Sequence, residues 1–513
     1  MRRLLATVAV LTVPALAAAG CGDTDEAASG ASELVPAGAI IYAEANLKPE
    51  GDQKRAIDSI LAKFPGGAQA GERLKGLIEK GLRDSDAGIS FKNDIEPWLG
   101  DEAAFFASDF GTMNGQGTAA GIVATNDEDA ALETLEKTAD GKITRTSYKD
   151  VDYLTDEAEG TNAAAVLDGF LVLGTEPGVK AVIDTSKDGP TLSDDDRYKS
   201  SLESAADDRL GLIYVDMPQI MKKAEQTGMG AIPDSFKRSF DEPLVSTVDA
   251  DDDGVSFESA ITEELATTFG VLGHGSELLN GLPADSWAAV AQNDFAHLLD
   301  YFVDAFAGVA GGRDAIEQQF RAATGLDLQK DVLDWMGDFG VFVRGKTVSE
   351  LNGALIVETK DEAASGRFIE ALERLARNQA DSPGDSVGPL SAPGGGRGFT
   401  LSSADVPKPI HVLQRNGRVV FAYGDAAAQD GVDAGDKLGD SPDFSAAHDS
   451  LGDYDVSFYV LVKPILDLVD STEAGSDPDW QKAKPYLEPL SALVAGTSGD
   501  GDDLKSVFKL VVK

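Results

Sequence analysis

The residues best placed to do chemistry are few. The run Asp249-Ala250-Asp251-Asp252-Asp253-Gly254 spaces carboxylates two apart ahead of a glycine, as the first half of a helix–loop–helix calcium site spaces its oxygen ligands. The twelfth position of that loop needs a bidentate glutamate and holds Ala260, and the flanking residues read as strands. The expectation is a hairpin turn, with weak calcium binding by Asp249, Asp251 and Asp253 as the alternative. The four histidines, His274, His297, His411 and His448, lack the spacing of zinc ligands. No nucleophile elbow, phosphate-binding loop or dinucleotide fingerprint is present. The chain is therefore expected not to be an enzyme and to carry no cofactor beyond the calcium alternative.

The only cysteine is Cys21. It excludes an intrachain disulfide and draws attention to what precedes it. Arg2 and Arg3 lead an apolar run from Leu4 to Ala18, of a length that suits the apolar core of an export signal better than a membrane span. The run closes on Ala18-Ala19-Gly20-Cys21, which resembles the lipobox of bacterial lipoproteins. That resemblance implies that Cys21 receives a diacylglycerol thioether and becomes the mature N-terminus. Residues 1–20 then form the signal peptide, and the small, acidic residues 21–33 form a flexible tether. No later stretch is apolar for long enough to span a bilayer, so the lipid is expected to be the only anchor.

Charge narrows the partners. Acidic residues number 88 against 44 basic ones, a formal net charge of −44 spread along the whole chain. Such a surface repels nucleic acid and anionic lipid headgroups, so nucleic-acid binding is excluded as a role. An acidic coat favours solubility in an exposed compartment.

Two elements position these residues, and each occurs twice. Asp94-Ile95-Glu96-Pro97-Trp98-Leu99-Gly100-Asp101 returns as Asp331-Val332-Leu333-Asp334-Trp335-Met336-Gly337-Asp338. Each is followed by Ile-Val-x-Thr-x-Asp-Glu, at Ile122–Glu128 and Ile356–Glu362. This pattern reads as an internal duplication: a first repeat domain over 34–264, a linker over 265–281 and a second repeat domain over 282–513. Trp98 and Trp335 are expected to plug a helix–sheet junction. Gly100 and Gly337 suit a tight turn whose amides Asp101 and Asp338 would accept. The Asp-Glu pairs start helices, and Asp168-Gly169 and Asn416-Gly417 mark hairpins. Residues 381–396 read as a loop that the first repeat lacks.

Phe295, Leu299, Phe302 and Phe306 form a broad apolar stripe on one helix. The stripe is expected to pack in the core, with a groove for an apolar ligand as the alternative. Helices alternate with hairpin-linked strands rather than in strict βαβ order, which argues for an α+β fold: two tandem homologous domains, each a mainly antiparallel sheet packed with helices.

The lipobox, the acidic tether, the openings Leu34-Val35-Pro36-Ala37 and Gly281-Leu282-Pro283-Ala284, and the repeated Trp-x-Gly-Asp segment together resemble a family of uncharacterised actinobacterial-type lipoproteins. The resemblance implies location in the cell envelope and brings no catalytic residues. The expected role is an extracytoplasmic binding or scaffold protein held to the cell membrane by its lipid, with an envelope protein or a lipid as partner. Carriage of an apolar ligand is the first alternative, and an envelope hydrolase the second.

Overall fold

The computed structural model describes residues 30–513 apart from 85–87, 112–116, 139–142, 157–161, 204, 206–207, 227–231, 269–274 and 380–384. The signal segment and Cys21 lie outside the described residues. The chain divides into two compact units, Met1–Met229 with Phe240–Ala260, and Gly230–Ser239 with Ile261–Lys513.

The first unit contains β1 (Ile41–Asn46), β2 (Leu99–Asp109), β3 (Thr118–Thr125), β4 (Ile143–Tyr148), β5 (Val151–Asp156), β6 (Asn162–Leu167), β7 (Phe170–Thr175), β8 (Gly211–Val215), β9 (Leu244–Asp251) and β10 (Gly254–Ala260). They pair in the order β4-β5-β6-β7-β3-β2-β1-β8-β9-β10, antiparallel throughout. Its principal helices are α1 (Gly51–Ala62), α2 (Ala70–Asp84), α3 (Glu128–Thr138) and α4 (Glu176–Ser186).

The second unit contains β11 (Ala288–Gln292), β12 (Met336–Arg344), β13 (Asn352–Thr359), β14 (Ser386–Pro389), β15 (Arg397–Ser403), β16 (Val406–Arg415), β17 (Arg418–Tyr423), β18 (Asp455–Leu461), β19 (Leu490–Ser498) and β20 (Lys505–Val512). Their order is β14-β15-β16-β17-β13-β12-β11-β18-β19-β20, again antiparallel throughout. Helices α5 (Phe295–Ala310), α6 (Arg313–Thr324), α7 (Glu362–Gln379), α8 (Asp425–Asp430) and α9 (Val462–Asp470) belong to it. The fold is α+β, and each unit taken alone has the same strand order.

Strand residues alternate between two buried layers, because successive side chains leave a sheet on opposite faces. In the first unit Val172 joins Tyr42, Phe106 and Ile122 under Val179 and Ile183 of α4. Its neighbour Leu171 joins Val123 and Trp98 under Leu82 of α2 and Leu135 of α3. The second unit repeats the scheme, with Phe342, Ile356 and Val420 on one face and Val357 and Val419 with Trp335 and Phe368 on the other. Both hairpin dipeptides turn with positive φ, at 52° and 78° for Asp168-Gly169 and 54° and 73° for Asn416-Gly417. Mirror-image turns of this kind match the right-handed strand twist.

Several expectations change. The tether does not run to residue 33: Ala31, Leu34 and Val35 are buried, and the Ala31 amide donates to both carboxylate oxygens of Glu102 at 3.0 and 3.1 Å. The segment 265–281, expected as a linker, carries the helices Glu263–Thr268 and Gly275–Asn280, and Leu278 and Leu279 enter the second core. The loop expected over 381–396 contains β14, which pairs with β15 as β4 pairs with β5 in the first unit.

Gly100 and Gly337 lie in strands at register breaks, not in tight turns. A Cβ on Gly100 would approach the Ala124 Cβ to 2.5 Å, and one on Gly337 would approach the Glu358 carbonyl to 2.9 Å, so close strand approach explains both glycines. The Asp338 carboxylate accepts the Asp294 amide at 2.9 Å, a partner outside its own segment, and the Asp101 backbone carbonyl accepts from Leu47 at 2.6 Å.

Candidate functional site

The repeated tryptophan element is a structural device. A single wide helical turn, Phe91–Ile95 in one unit and Leu328–Leu333 in the other, precedes each tryptophan. Trp335 is fully buried against Phe368 and donates its indole N–H to the Asp331 carbonyl at 3.1 Å. Trp98 is buried likewise and donates to the carbonyl of Asp94, with the Thr134 hydroxyl 3.1 Å away. Each ring closes its own turn.

Asp127 and Asp361 cap the helices that follow. Asp361 Oδ1 accepts the amides of Ala363 and Ala364, which holds its carboxyl below the usual range.

The other candidates from the sequence separate in space. Phe295 and Leu299 pack against the second core, with Phe295 and Phe339 ring centres 4.4 Å apart. Phe302 and Phe306 stand outside it, 43% and 64% exposed, so the four do not line one groove. The stripe is wider than the face that β12 can cover.

Asp249 and Asp251 belong to β9 and Asp253 to the hairpin turn. Thr247 donates to Asp249 Oδ2 at 2.9 Å, and the Asp253 amide donates to Asp251 Oδ1 at 2.9 Å. Burial raises the Asp249 carboxyl. Among the described residues no group of three or more His, Cys, Asp or Glu side chains is placed to hold a metal ion.

A site the sequence reading missed lies at one end of the second sheet. The residues ahead of β11 turn back on themselves: Ala284 donates to Asp436 O, and Ser286 to Pro283 O, at 3.0 Å each. Trp287 then enters the ladder, its amide on the Val343 carbonyl at 3.0 Å and its carbonyl accepting from Leu461 at 2.7 Å. Its indole N–H reaches Gly345 O at 2.9 Å. Gly345 holds φ at +106°, and a Cβ there would meet the Glu350 carbonyl carbon at 2.6 Å, so only glycine lets the chain fold back beside the ring.

Between these segments opens a cleft of about 830 Å³, with Asp285, Ser286, Trp287, Arg344, Asp443 and Lys463 among its lining. The volume lies in the range of roughly 300–1,000 Å³ usual for small-molecule sites. Arg344 is buried at its edge, with Nε on Asn352 Oδ1 at 2.7 Å, Nη1 on Asp285 at 3.0 Å and Nη2 on Asp430 at 2.6 Å. Burial lowers the affinity of its guanidinium for a proton, and the two carboxylates more than offset this. Ser286 is 2% exposed and its hydroxyl has no hydrogen-bond partner, a cost that native interiors rarely leave standing.

The first unit carries different residues at the equivalent ladder positions. There Ile40 donates to Ala107 O and Asp216 to Ile40 O, at 2.8 Å each, so Ile40 occupies the ladder position of Trp287. Gly38 and Ala39 therefore stand where Asp285 and Ser286 stand, and Ser108 stands where Arg344 does. Asp285, Trp287 and Arg344 therefore have no charged or aromatic counterpart at these positions of the first unit.

A second polar chain crosses β15 and β16. His411 is fully buried, with Nε2 2.8 Å from Asp425 Oδ1 and Nδ1 3.0 Å from Thr400 Oγ1, which also accepts the Ser391 amide. Each imidazole nitrogen has one partner, so the chain is satisfied as it stands.

A family model described as protein of unknown function (DUF3352) matches residues 4–385. The chain belongs to that family. The DUF3352 match takes in the first unit and the second as far as β13 and α7. It includes Asp285, Ser286, Trp287 and Arg344, whereas Asp443 and Lys463 lie beyond it. No curated protein and no solved structure matches the chain.

Proposed function

We propose that this protein is a lipid-anchored, extracytoplasmic binding protein of the bacterial cell envelope, and that its second unit holds the ligand. The observation that carries the reading is the cleft at Trp287: a buried, unpartnered Ser286 hydroxyl beside an aromatic ring and a fully engaged arginine. Unfilled hydrogen-bonding capacity buried in a cavity is what a ligand would satisfy.

Anchorage rests on the sequence, through the lipobox and the solitary Cys21. Among the described residues no helix is long and apolar enough to cross a membrane. The matching strand orders support an origin by duplication, after which the two ends of β11 and β1 diverged. The binding reading needs neither a metal nor a catalytic step. Carriage of an apolar ligand has less support, because Phe295 and Leu299 are spent in the core.

Native mass spectrometry of the chain released from host membranes in mild detergent tests the binding role. The expected result is a small-molecule adduct that disappears in the double variant Ser286→Val, Trp287→Ala. An unliganded mass for both proteins contradicts it.

A further inference from the structure

Building on the binding role proposed above, we infer that the cleft takes a neutral saccharide. Three features of the lining select this class. Two of its four cations are already engaged: all three donor nitrogens of Arg344 reach Asn352, Asp285 and Asp430, and Lys463 Nζ sits 3.0 Å from Asp467. An anionic ligand that paired with Arg344 or Lys463 would have to displace these carboxylates. The lining holds five acidic side chains against four basic ones, a balance with no net positive charge to hold an anion and with carboxylate oxygens able to accept from hydroxyl donors.

The indole N–H of Trp287 is committed to Gly345 O, so what the ring offers a ligand is its apolar face, and the C–H face of a sugar ring complements such a surface. The Ser286 hydroxyl can both donate and accept, the pattern of a sugar hydroxyl in return. Ile40, in the ladder position of Trp287, offers no such plane, and the inference is confined to the second unit.

The test is isothermal titration of the full-length protein in detergent. Neutral trisaccharides (maltotriose, triacetylchitotriose and xylotriose) are compared with citrate as an anion and trialanine as a zwitterion. Binding of at least one trisaccharide is expected, with an affinity insensitive to salt because no net charge is exchanged. Trp287→Ala is expected to weaken it about tenfold, whereas Trp287→Phe, which keeps a ring, retains most of it; thermal unfolding checks that both variants fold. Binding of citrate or trialanine alone, lost in Trp287→Ala, overturns the saccharide assignment and leaves the binding role intact. Silence toward all five probes overturns the assignment, and the binding role falls with it only if the native mass of the host-derived protein is also unliganded.

Discussion

Arg344 Nη2 and Asp430 Oδ2 lie 2.6 Å apart, joining the last residue of β12 to the last residue of α8. With Nη1 on Asp285, the same guanidinium also fixes the segment that presents Ser286 and Trp287. One side chain therefore ties together three stretches that are distant in sequence.

Removing it is expected to loosen the wall and the fold together. Asp285 is 70% exposed and Asp430 25%, so neither becomes a deeply buried orphan charge. Arg344→Ala should cost about 1–3 kcal/mol, read from denaturant unfolding. Arg344→Lys, which cannot reach three partners at once, is expected to recover only part of that loss.

The tryptophan element is predicted to act through stability alone. Trp335→Phe removes the indole donor to Asp331 O at a fully buried position, and a loss of about 1–3 kcal/mol is expected. Trp335→Ala adds a cavity and should cost about 3–5 kcal/mol. If either variant unfolds at the midpoint of the native chain, the turn-closing role assigned to the ring is wrong.

Glu102 gives the first unit a pH dependence. Burial, reinforced by Glu44 and Asp101, pushes its carboxyl from the ordinary 4.5 to about 7, against the Ala31 amide and Arg209, which lower it. The folded pKa exceeds the unfolded one, so this group's contribution is fully present below about pH 4.5 and declines as pH rises through 7. Glu102→Gln keeps an acceptor for the Ala31 amide and cannot ionise. Relative to the native chain it should gain about 2–3 kcal/mol between pH 5 and pH 8, measured by urea unfolding across that range. A constant difference between the two proteins contradicts the assignment.

Anchorage is tested separately from binding. Cys21→Ser should move the protein from the membrane fraction to the soluble one in its host, because the acyl chains on this sulfur are its proposed hold on the bilayer. Unchanged membrane retention rules that anchor out.

Much of the fold could be read from the chain because its signals are local. Asp168-Gly169 and Asn416-Gly417 fix two hairpins by backbone conformation alone. The repeated tryptophan and Ile-Val segments fall at matching places in the two units, each of which has the same strand order. The cleft was hidden for the opposite reason. Asp285, Arg344 and Asp430 are separated by 59 and 86 residues and carry no spacing rule; only the β11–β12–β18 register brings Trp287 between Val343 and Leu461. A signal was nonetheless available, since comparing the two openings sets Gly38-Ala39-Ile40 against Asp285-Ser286-Trp287. The phenylalanine stripe packs on the core at Phe295 and Leu299 as expected but not at Phe302 and Phe306, because helical periodicity marks apolar positions without saying how wide a face the neighbouring strand covers.

Hydrogen exchange, recorded on the full-length protein with and without clarified host-envelope extract, tests the central claim most directly. A ligand held at Trp287 predicts slowed exchange over residues 284–290, 344–352 and 459–464, with the equivalent first-unit residues 37–43 and 107–109 unchanged. Protection that appears only in the first unit, or nowhere, would contradict a binding cleft in the second.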